Sequence, residues 1–512
     1  MIALLIASMI AASPLEAEIR AAAALPGEPH AVAAAGVARD ESPILTIENP
    51  TAFDPADARR RVILIGAPSG DERAAIDAVR WFKTRAPRAI RARWSLSALP
   101  LARFDDADTQ SLARWVTFQA PDLIVTIGSL ALQTNVPVES IAVENAAAAL
   151  GALLAAPRER SAAHAELLDR VKRSPLDVAR LLARRYPDMP AISYIPALSW
   201  IGALRLAAID RDDRLRAKVV DQTAPWTSGQ RTLFAPPPAA AGRGAARIQL
   251  TTVAGAMVFA ELAAADRARA GSPDLRASAE RLFDEGVAAA QKEKAPATPE
   301  FGQGWTDDMF MATAVLARSG ARPGHEADLD RAARLLTTYA AKLQREDGLF
   351  NHATDGPAAW GRGNGFAAFG LVETLTRLPE AHPARRELLD RYRRLMNAVR
   401  TQQSPDGAWR QIIDEPGAYR EETATAMLLS AMARGVRLGW IDKAFRPTIA
   451  QAWRALAVHV ASDGTLFDVC AGTGAGPTRR YYFDRPAVTG ADDRGGAMAL
   501  TAALDLHDLR GR

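Results

Sequence analysis

A short motif recurs three times and limits what this chain can fold into. Asp347-Gly348-Leu349-Phe350 returns as Asp406-Gly407-Ala408-Trp409 and as Asp463-Gly464-Thr465-Leu466-Phe467, at intervals of 59 and 57 residues. Asp-Gly supplies the left-handed geometry of a tight turn, and each interval holds two amphipathic helical stretches. Leu250 to Arg267 is a representative stretch, with Val253, Met257, Val258 and Leu262 on one face. Asp330 to Leu343, Gly363 to Leu378, Ala384 to Gln402, Glu422 to Val436 and Lys443 to Ala461 follow the same spacing. From Ser174 onward the pattern predicts roughly twelve helices. A period of about 58 residues is too long for 34-residue helical repeats and suggests larger hairpins stacked in a ring or solenoid. About six hairpins fit into residues 170–512, which predicts a closed double ring of helices, an all-α (α/α)6 barrel.

The N-terminal part reads differently. Val62-Ile63-Leu64-Ile65-Gly66 is a β-branched run ending in Gly, followed by a helical stretch near Asp71 to Lys83. Ala92 to Leu99 and Asp122 to Gly128 are further candidate strands. Short apolar strands alternating with helices predict a parallel α/β domain, placed at residues 41–165 and expected to be non-catalytic. Residues 18–40, rich in Ala and Gly, read as a flexible lead-in. Ahead of them, Met1-Ile-Ala-Leu-Leu-Ile-Ala-Ser-Met-Ile-Ala-Ala and Ser13 to Ala17 resemble a secretory signal over residues 1–17, so a secreted or periplasmic location is expected. Residues 225–247, with Pro236-Pro237-Pro238, read as a surface loop or a lid over one mouth of the ring.

Composition excludes several classes. Hydrophobic residues make up 48% and charged residues 24%, which is globular rather than disordered. Beyond the first dozen residues no apolar run reaches the roughly 18 needed to span a bilayer. Cys470 is the only cysteine, so neither an internal disulfide nor a Cys-rich metal site is available. Basic residues number 63 against 59 acids, and only seven of the basic ones are lysines. The two signs are interleaved without a basic arm, which argues against a nucleic-acid partner. Nothing in the sequence calls for a cofactor or a metal.

The candidate chemistry lies in the turns between helices. Gly304-Trp305-Thr306-Asp307-Asp308-Met309-Phe310-Met311 places an indole and two acids at a helix start, where either Thr306 or Asp307 could simply be a cap. His352 precedes Trp360-Gly361-Arg362-Gly363-Asn364-Gly365-Phe366, whose three glycines would let the backbone approach a ligand closely. Trp409-Arg410-Gln411 and Tyr419-Arg420-Glu421-Glu422-Thr423-Ala424-Thr425 complete the set. Any single Trp could be core. Recurrence in consecutive turns suits a sugar acid instead, with aromatic faces against the ring and Arg on the carboxylate.

These motifs resemble glycoside hydrolase families 88 and 105, the unsaturated uronyl hydrolases, and family 105 more closely, over residues 170–505. The resemblance rests on Trp305 to Met311, on His352 with Trp360 to Gly365, on Glu422-Thr423-Ala424-Thr425-Ala426-Met427, and on Tyr481-Tyr482 and Asp493-Arg494-Gly495. It implies an (α/α)6 barrel that removes 4,5-unsaturated uronic acid from the non-reducing end of lyase-generated oligosaccharides, here from rhamnogalacturonan or pectin. Two carboxylates flanking an oxocarbenium-like centre are the usual glycosidase arrangement. The family instead protonates C4 of the enol ether and adds water at C5. By the family's spacing Asp307 is the general acid, with burial beside Trp305 favouring its protonated form, and Asp308 is a supporting acid. Trp305, His352, Trp360, Arg362, Asn364, Trp409 and Glu422 are the expected substrate-binding residues, Arg362 on the carboxylate.

One departure stands out. Relatives carry a second acid in a Leu-Asp-x-x-x-x-Gly stretch, whereas Gln249-Leu250-Thr251-Thr252-Val253-Ala254-Gly255 has Thr in its place. The alternatives are a different glycan in the same cleft, such as a glucuronyl or ulvan fragment, or a catalytically impaired glycan-binding barrel. Val62 to Gly66 with Ser69-Gly70-Asp71-Glu72 also resembles zinc carboxypeptidase-type sequences. Ser69 stands where those have His, and Asp122 to Ser129 contains no His, so the resemblance implies a domain without metal chemistry.

Overall fold

The computed structural model describes residues 14–67, 72–100, 106–130, 132, 134–234, 248–268 and 272–511. The chain divides into two compact units, the first within Met1–Val171 with Pro416–Tyr419, the second Lys172–Glu415 with Arg420–Arg512.

In the first unit the strands are β1 (Ala31–Val37), β2 (Pro43–Glu48), β3 (Arg60–Gly66), β4 (Trp94–Leu99), β5 (Leu123–Ile127) and β6 (Val138–Ile141). They form one sheet in the order β1-β2-β4-β3-β5-β6, parallel from β4 to β6, with β1 and β2 joined antiparallel at one edge. Side chains alternate across the pleat. Val62 and Leu64 join the core beneath helices Pro14–Ala24, Glu72–Thr84 and Ala146–Ala155. Ile63 and Ile65 pack on the other face with Trp115.

Residues 18–40 are therefore not a flexible lead-in. Ile19, Ala22 and Ala23 bury one side of a helix, and Ala33 and Ala34 are buried in β1. Ala has weak strand propensity, and burial against the sheet overrides it. The α/β fold accordingly begins well before residue 41. Residues 1–13, and Ser69 to Asp71 of the carboxypeptidase-like motif, lie outside the described residues.

The second unit is the helical ring. Its inner helices are α1 (Tyr194–Asp210), α2 (Leu250–Gly255 continuing as Met257–Ala268), α3 (Thr306–Met311 continuing as Thr313–Gly320), α4 (Gly361–Arg377), α5 (Glu422–Arg437) and α6 (Asp493–Arg510). Each packs on the next, and α6 returns to α1. Helices Pro175–Arg185, Asp213–Thr227, Pro273–Ala290, Ala327–Leu343, Arg385–Thr401 and Arg446–His459 alternate with them in sequence and form the outer layer. Among the described residues this is an (α/α)6 barrel. From Gly361 to Leu375 every residue of α4 is buried, as a helix enclosed on all sides requires.

The three Asp-Gly turns each follow an outer helix. Gly348, Gly407 and Gly464 have φ of +97°, +99° and +81°. In each turn the Asp carboxylate accepts a backbone N–H two residues on, from Leu349 at 3.0 Å, Ala408 at 3.0 Å and Thr465 at 2.9 Å. At Gly348 a Cβ would lie 2.6 Å from the Arg394 carbonyl, so the turn packs where only glycine fits. Within the stretch read as a loop or lid, Pro225 to Thr227 instead finish an outer helix, and residues 235–247 lie outside the described residues. Among the described residues no helix is long and apolar enough to cross a membrane.

Candidate active site

Because inner and outer helices alternate in direction, all six inner helices begin at the same end of the barrel. Tyr194, Thr251, Asp307, Arg362, Glu422 and Arg494 occupy their first turns. The N–H groups of such first turns carry partial positive charge, which favours anions at this end; Glu421 already caps those of α5 and Asp492 those of α6.

Asp307 lies in the first turn of α3 with its side chain 16% exposed. One carboxylate oxygen, Oδ2, is 3.2 Å from His352 Nε2, and His352 Nδ1 is 2.9 Å from Tyr482 Oη. His352 is wholly buried, with Trp305, Trp360 and Tyr482 ring centroids at 5.3, 4.4 and 5.8 Å. Its backbone is tied to the same place: Thr306 N–H donates to the His352 carbonyl at 3.0 Å, and His352 N–H to Ala358 O at 3.0 Å. His352, expected as a substrate binder, is thus buried against Asp307. Half-exposed Trp305 offers its indole beside the acid.

Asp308 faces the other way. Its Oδ2 accepts N–H groups from Gln303 at 2.9 Å, Gly304 at 2.7 Å and Trp305 at 3.2 Å, and the Tyr339 hydroxyl at 2.8 Å. Burial pushes its carboxyl up to about 6, partly offset by the Tyr339 and Gly304 bonds. This acid shapes the turn that presents Trp305 and Asp307.

Arg362 is 2% exposed, with its guanidinium carbon 4.8 Å from the Trp360 ring centroid. It donates to the Cys470 carbonyl at 2.6 Å and the Ala471 carbonyl at 2.8 Å. The expected carboxylate contact is thereby largely committed to anchoring the strand end at residues 470–471. Arg494 is more open, with 23% of its side chain exposed and, among the described residues, a single long side-chain bond of 3.4 Å to Asp492 Oδ2. A Cβ on Gly472, the residue after Ala471, would lie 3.6 Å from Arg494 Nη1, so both arginines flank the same loop.

The other expected binders are interior. Asn364 bonds Phe350 N–H at 2.8 Å, Phe350 O at 2.9 Å and Trp360 O at 3.0 Å, which uses its amide on the backbone. Trp409 is buried and donates to Val399 O at 2.7 Å. Trp360 is buried under His352 and donates to Gln411 Oε1 at 3.2 Å. Glu422 is buried, and neither of its oxygens has a hydrogen bond among the described residues. Burial, then the charges of Glu421 and Asp492, push its carboxyl well up. The three glycines around Arg362 make room for protein rather than ligand. A Cβ on Gly363 would meet Thr306 Oγ1 at 2.7 Å, and one on Gly365 would meet Met427 at 2.8 Å.

Sequence reasoning missed Tyr482 as a site residue, together with Tyr339 and the anchoring carbonyls of Cys470 and Ala471. Tyr482 reaches His352 across 130 residues of chain, and only the adjacent Tyr481-Tyr482 pair hinted at it. At the position of the missing acid, half-buried Thr251 donates to Gln249 Oε1 at 3.3 Å in the first turn of α2.

The profile of Glycosyl Hydrolase Family 88 matches residues 245–509, just over half of the chain. The chain belongs to Glycosyl Hydrolase Family 88. It is 26% identical over 218 residues to the unsaturated rhamnogalacturonyl hydrolase YesR of Bacillus subtilis (strain 168), covering 41% of this chain and 61% of that protein. Against the unsaturated 3S-rhamnoglycuronyl hydrolase of Alteromonas sp. (strain LOR) it is 25% identical, covering 32% of this chain and 42% of the relative. It thus spans less than two thirds of either. Protein Atu3128 of Agrobacterium fabrum is 34% identical over 171 residues, 29% of this chain and 70% of the relative. Among solved structures, a family 105 glycoside hydrolase of C. acetobutylicum superimposes with a TM-score of 0.55 at 17% identity, covering 65% of this chain and 99% of the other. A possible family 105 member from Salmonella enterica gives 0.54 at 19% identity, covering 70% and 97%. These likenesses establish the barrel fold.

Proposed function

We propose that the barrel removes 4,5-unsaturated uronic acid from the non-reducing end of lyase-generated oligosaccharides, with rhamnogalacturonan or other pectic fragments as the substrate class. The observation that carries this reading is Asp307: one oxygen is held from below by a buried His352, the other is open beside an indole. Asp307 gives a proton to C4 as the C4=C5 electron pair forms the new C–H bond. Water adds its oxygen at C5, and one of its protons restores the carboxyl. The C5 hemiketal then opens, and the hemiacetal left at C1 expels the aglycone as an alcohol. The names of the relatives from Bacillus and Alteromonas support an unsaturated uronide as substrate.

The substrate carboxylate would sit over the N-termini of the inner helices, where partial positive charge favours it. Arg494 has the donors to grip it, while Arg362 holds the adjoining loop. The apolar residues 1–12 support export as part of the same reading, to be read by fractionating cells that express the full chain.

The deciding assay follows the absorbance of the conjugated double bond across a panel of unsaturated oligosaccharides. Loss of absorbance with wild type and not with Asp307→Asn is the expected result. Tight binding without any loss of absorbance would replace this reading with the binding-only barrel, and Thr251 and Thr252 would be its explanation.

A further inference from the structure

The hydrogen bonds beneath Asp307 run in one direction, and the direction has chemical consequences. Gly476 N–H lies 3.2 Å from Tyr482 Oη, and a backbone N–H can only donate. The phenol oxygen therefore accepts from Gly476 and has its own proton left to give. Its neighbour at 2.9 Å is His352 Nδ1. A neutral imidazole has one donor and one acceptor nitrogen. If Nδ1 accepts from Tyr482, the ring proton is on Nε2, which donates to Asp307 Oδ2 at 3.2 Å. The opposite polarity would leave the Tyr482 hydroxyl proton with no acceptor among the described residues, at a wholly buried side chain.

We propose that Tyr482 is a positioning residue that fixes the Nε2–H tautomer of His352 and so keeps the catalytic proton of Asp307 on Oδ1. This rests on the hydration reading above. Hydration requires the proton on the oxygen that faces C4. In the opposite tautomer Nε2 is an acceptor 3.2 Å from Oδ2, and it would draw that proton down into the imidazole. With Nε2–H donating, Oδ2 is occupied. The proton then resides on Oδ1, which has no hydrogen bond among the described residues and shares in the exposure of the side chain. It leaves from there to C4 and is replaced there from the attacking water.

The surroundings hold this polarity in place. Tyr482 packs edge-on against Tyr481 at 5.2 Å and 88°, and against His352 at 5.8 Å and 68°. A Cβ on Gly356 would fall 2.9 Å from Tyr482 Oη, so the hydroxyl fills a slot that glycine leaves. With His352 pinned at both its N–H and its carbonyl, a ring flip is the freedom that remains, and Tyr482 removes it.

Nitrogen-15 NMR of the imidazoles tests this directly, with His352→Gln used to assign the signal. Wild type is expected to show protonated Nε2 and bare Nδ1 at neutral pH. Tyr482→Phe keeps the ring and deletes the donor. It should give a mixed or reversed tautomer, lower kcat by about tenfold or more, and leave KM within about twofold. A wild-type Nδ1–H tautomer overturns the proposal whether or not the variant folds. So does a Tyr482→Phe enzyme with full kcat, or one that loses kcat while Nε2–H persists. A wild type that hydrates no unsaturated uronide removes the functional reading instead, and the spectrum then reports on the tautomer alone.

Discussion

Where the inner helices begin, an acid is left open; where they end, every helix contributes to one ionic network. At the first end Asp307 Oδ1 is unbonded among the described residues, and Thr306 Oγ1 and both Glu422 oxygens are buried without partners. At the second, Glu373 of α4 accepts from Arg318 at 2.7 Å, Arg377 at 2.9 Å and Arg434 at 2.6 Å. Arg318 also binds Glu261 at 2.8 Å, Arg434 binds Asp505 at 2.8 Å, and Arg205 binds Asp505 at 2.9 Å. All six inner helices are represented there. The helix dipole suits both arrangements, since cations are favoured at C-termini and anions at N-termini. Buried polar atoms without a partner among the described residues occur at both ends, Asp266 Oδ2 and Thr374 Oγ1 toward the second, so what separates stability from chemistry is the ionic network at one end and the acid, the imidazole and the indole at the other.

The strongest test of that separation is a pair of carboxylate substitutions. Asp307→Asn should lower kcat by about a thousandfold or more while the melting temperature stays within about one degree. Glu373→Ala should do the reverse. Removing it takes the shared carboxylate from three arginines, leaving Arg318 only Glu261 and Arg434 only Asp505 as acids, and breaking a buried pair costs about 3–5 kcal/mol. Urea unfolding should show that loss, while kcat per folded molecule stays within about twofold. A Glu373→Ala protein that is stable but inactive would mean the two ends are coupled, and the comparison would fail.

Asp308 is at the active end but behaves as structure, so it sharpens the boundary. Asp308→Ala leaves three backbone N–H groups and the Tyr339 hydroxyl without their acceptor, and should cost about 2–4 kcal/mol. Its pH dependence is distinctive. Burial raises the Asp308 carboxyl to about 6, so the folded chain holds that proton more tightly than the unfolded chain. Its contribution is full below the ordinary carboxylate range and is lost as pH rises through about 6. Glu373 has the opposite sign. Burial alone would raise it, but Arg318, Arg377 and Arg434 outweigh that and hold it well below the usual range. Its contribution is present above that range and lost as pH falls. Urea midpoints across pH 4 to 7 should therefore lose their alkaline decline in Asp308→Asn and their acid decline in Glu373→Gln. Equal slopes in both variants would contradict these assignments.

The sequence legibility of these two ends was unequal. The ring was readable because Asp347, Asp406 and Asp463 each mark a turn whose chemistry is local, with a carboxylate capping an N–H two residues on. The helix start that carries Asp307 was readable because Trp305 to Met311 is a contiguous motif. What escaped depends on contacts between distant segments. Tyr482 and His352 are 130 residues apart, and the bonds that join Arg318, Glu373, Arg434 and Asp505 link residues 55 to 71 apart. Nothing in the local pattern separates Asn364, which braces the backbone around Phe350, from a ligand-binding amide. Strands β1 and β2 escaped for a different reason. Ala-Val-Ala-Ala-Ala-Gly-Val has little intrinsic strand preference, and its pairing with β2 is set by the sheet it completes.

The smallest effect concerns an arginine at the wrong end of a helix. Arg434 and Arg318 lie near C-termini, where their charge is favoured, but Arg494 lies in the first turn of α6, where a cation is disfavoured by about 0.3–1 kcal/mol. Its bond to Asp492 is long and partly exposed, so little in the folded chain offsets that penalty. A residue that breaks a local rule without visible compensation is expected to serve a ligand. Arg494→Ala should leave stability unchanged or raise it by up to about 1 kcal/mol, while KM for an unsaturated uronide rises about tenfold. The methyl ester of the same substrate provides the control, because esterification removes the charge that Arg494 would grip. Wild type should prefer the acid, and Arg494→Ala should lose that preference. Arg362→Ala should lower activity on acid and ester alike, since its guanidinium holds the carbonyls of Cys470 and Ala471. If Arg494→Ala instead unfolds more easily and keeps its preference for the acid, Arg494 belongs with the structural arginines at the far end of the barrel.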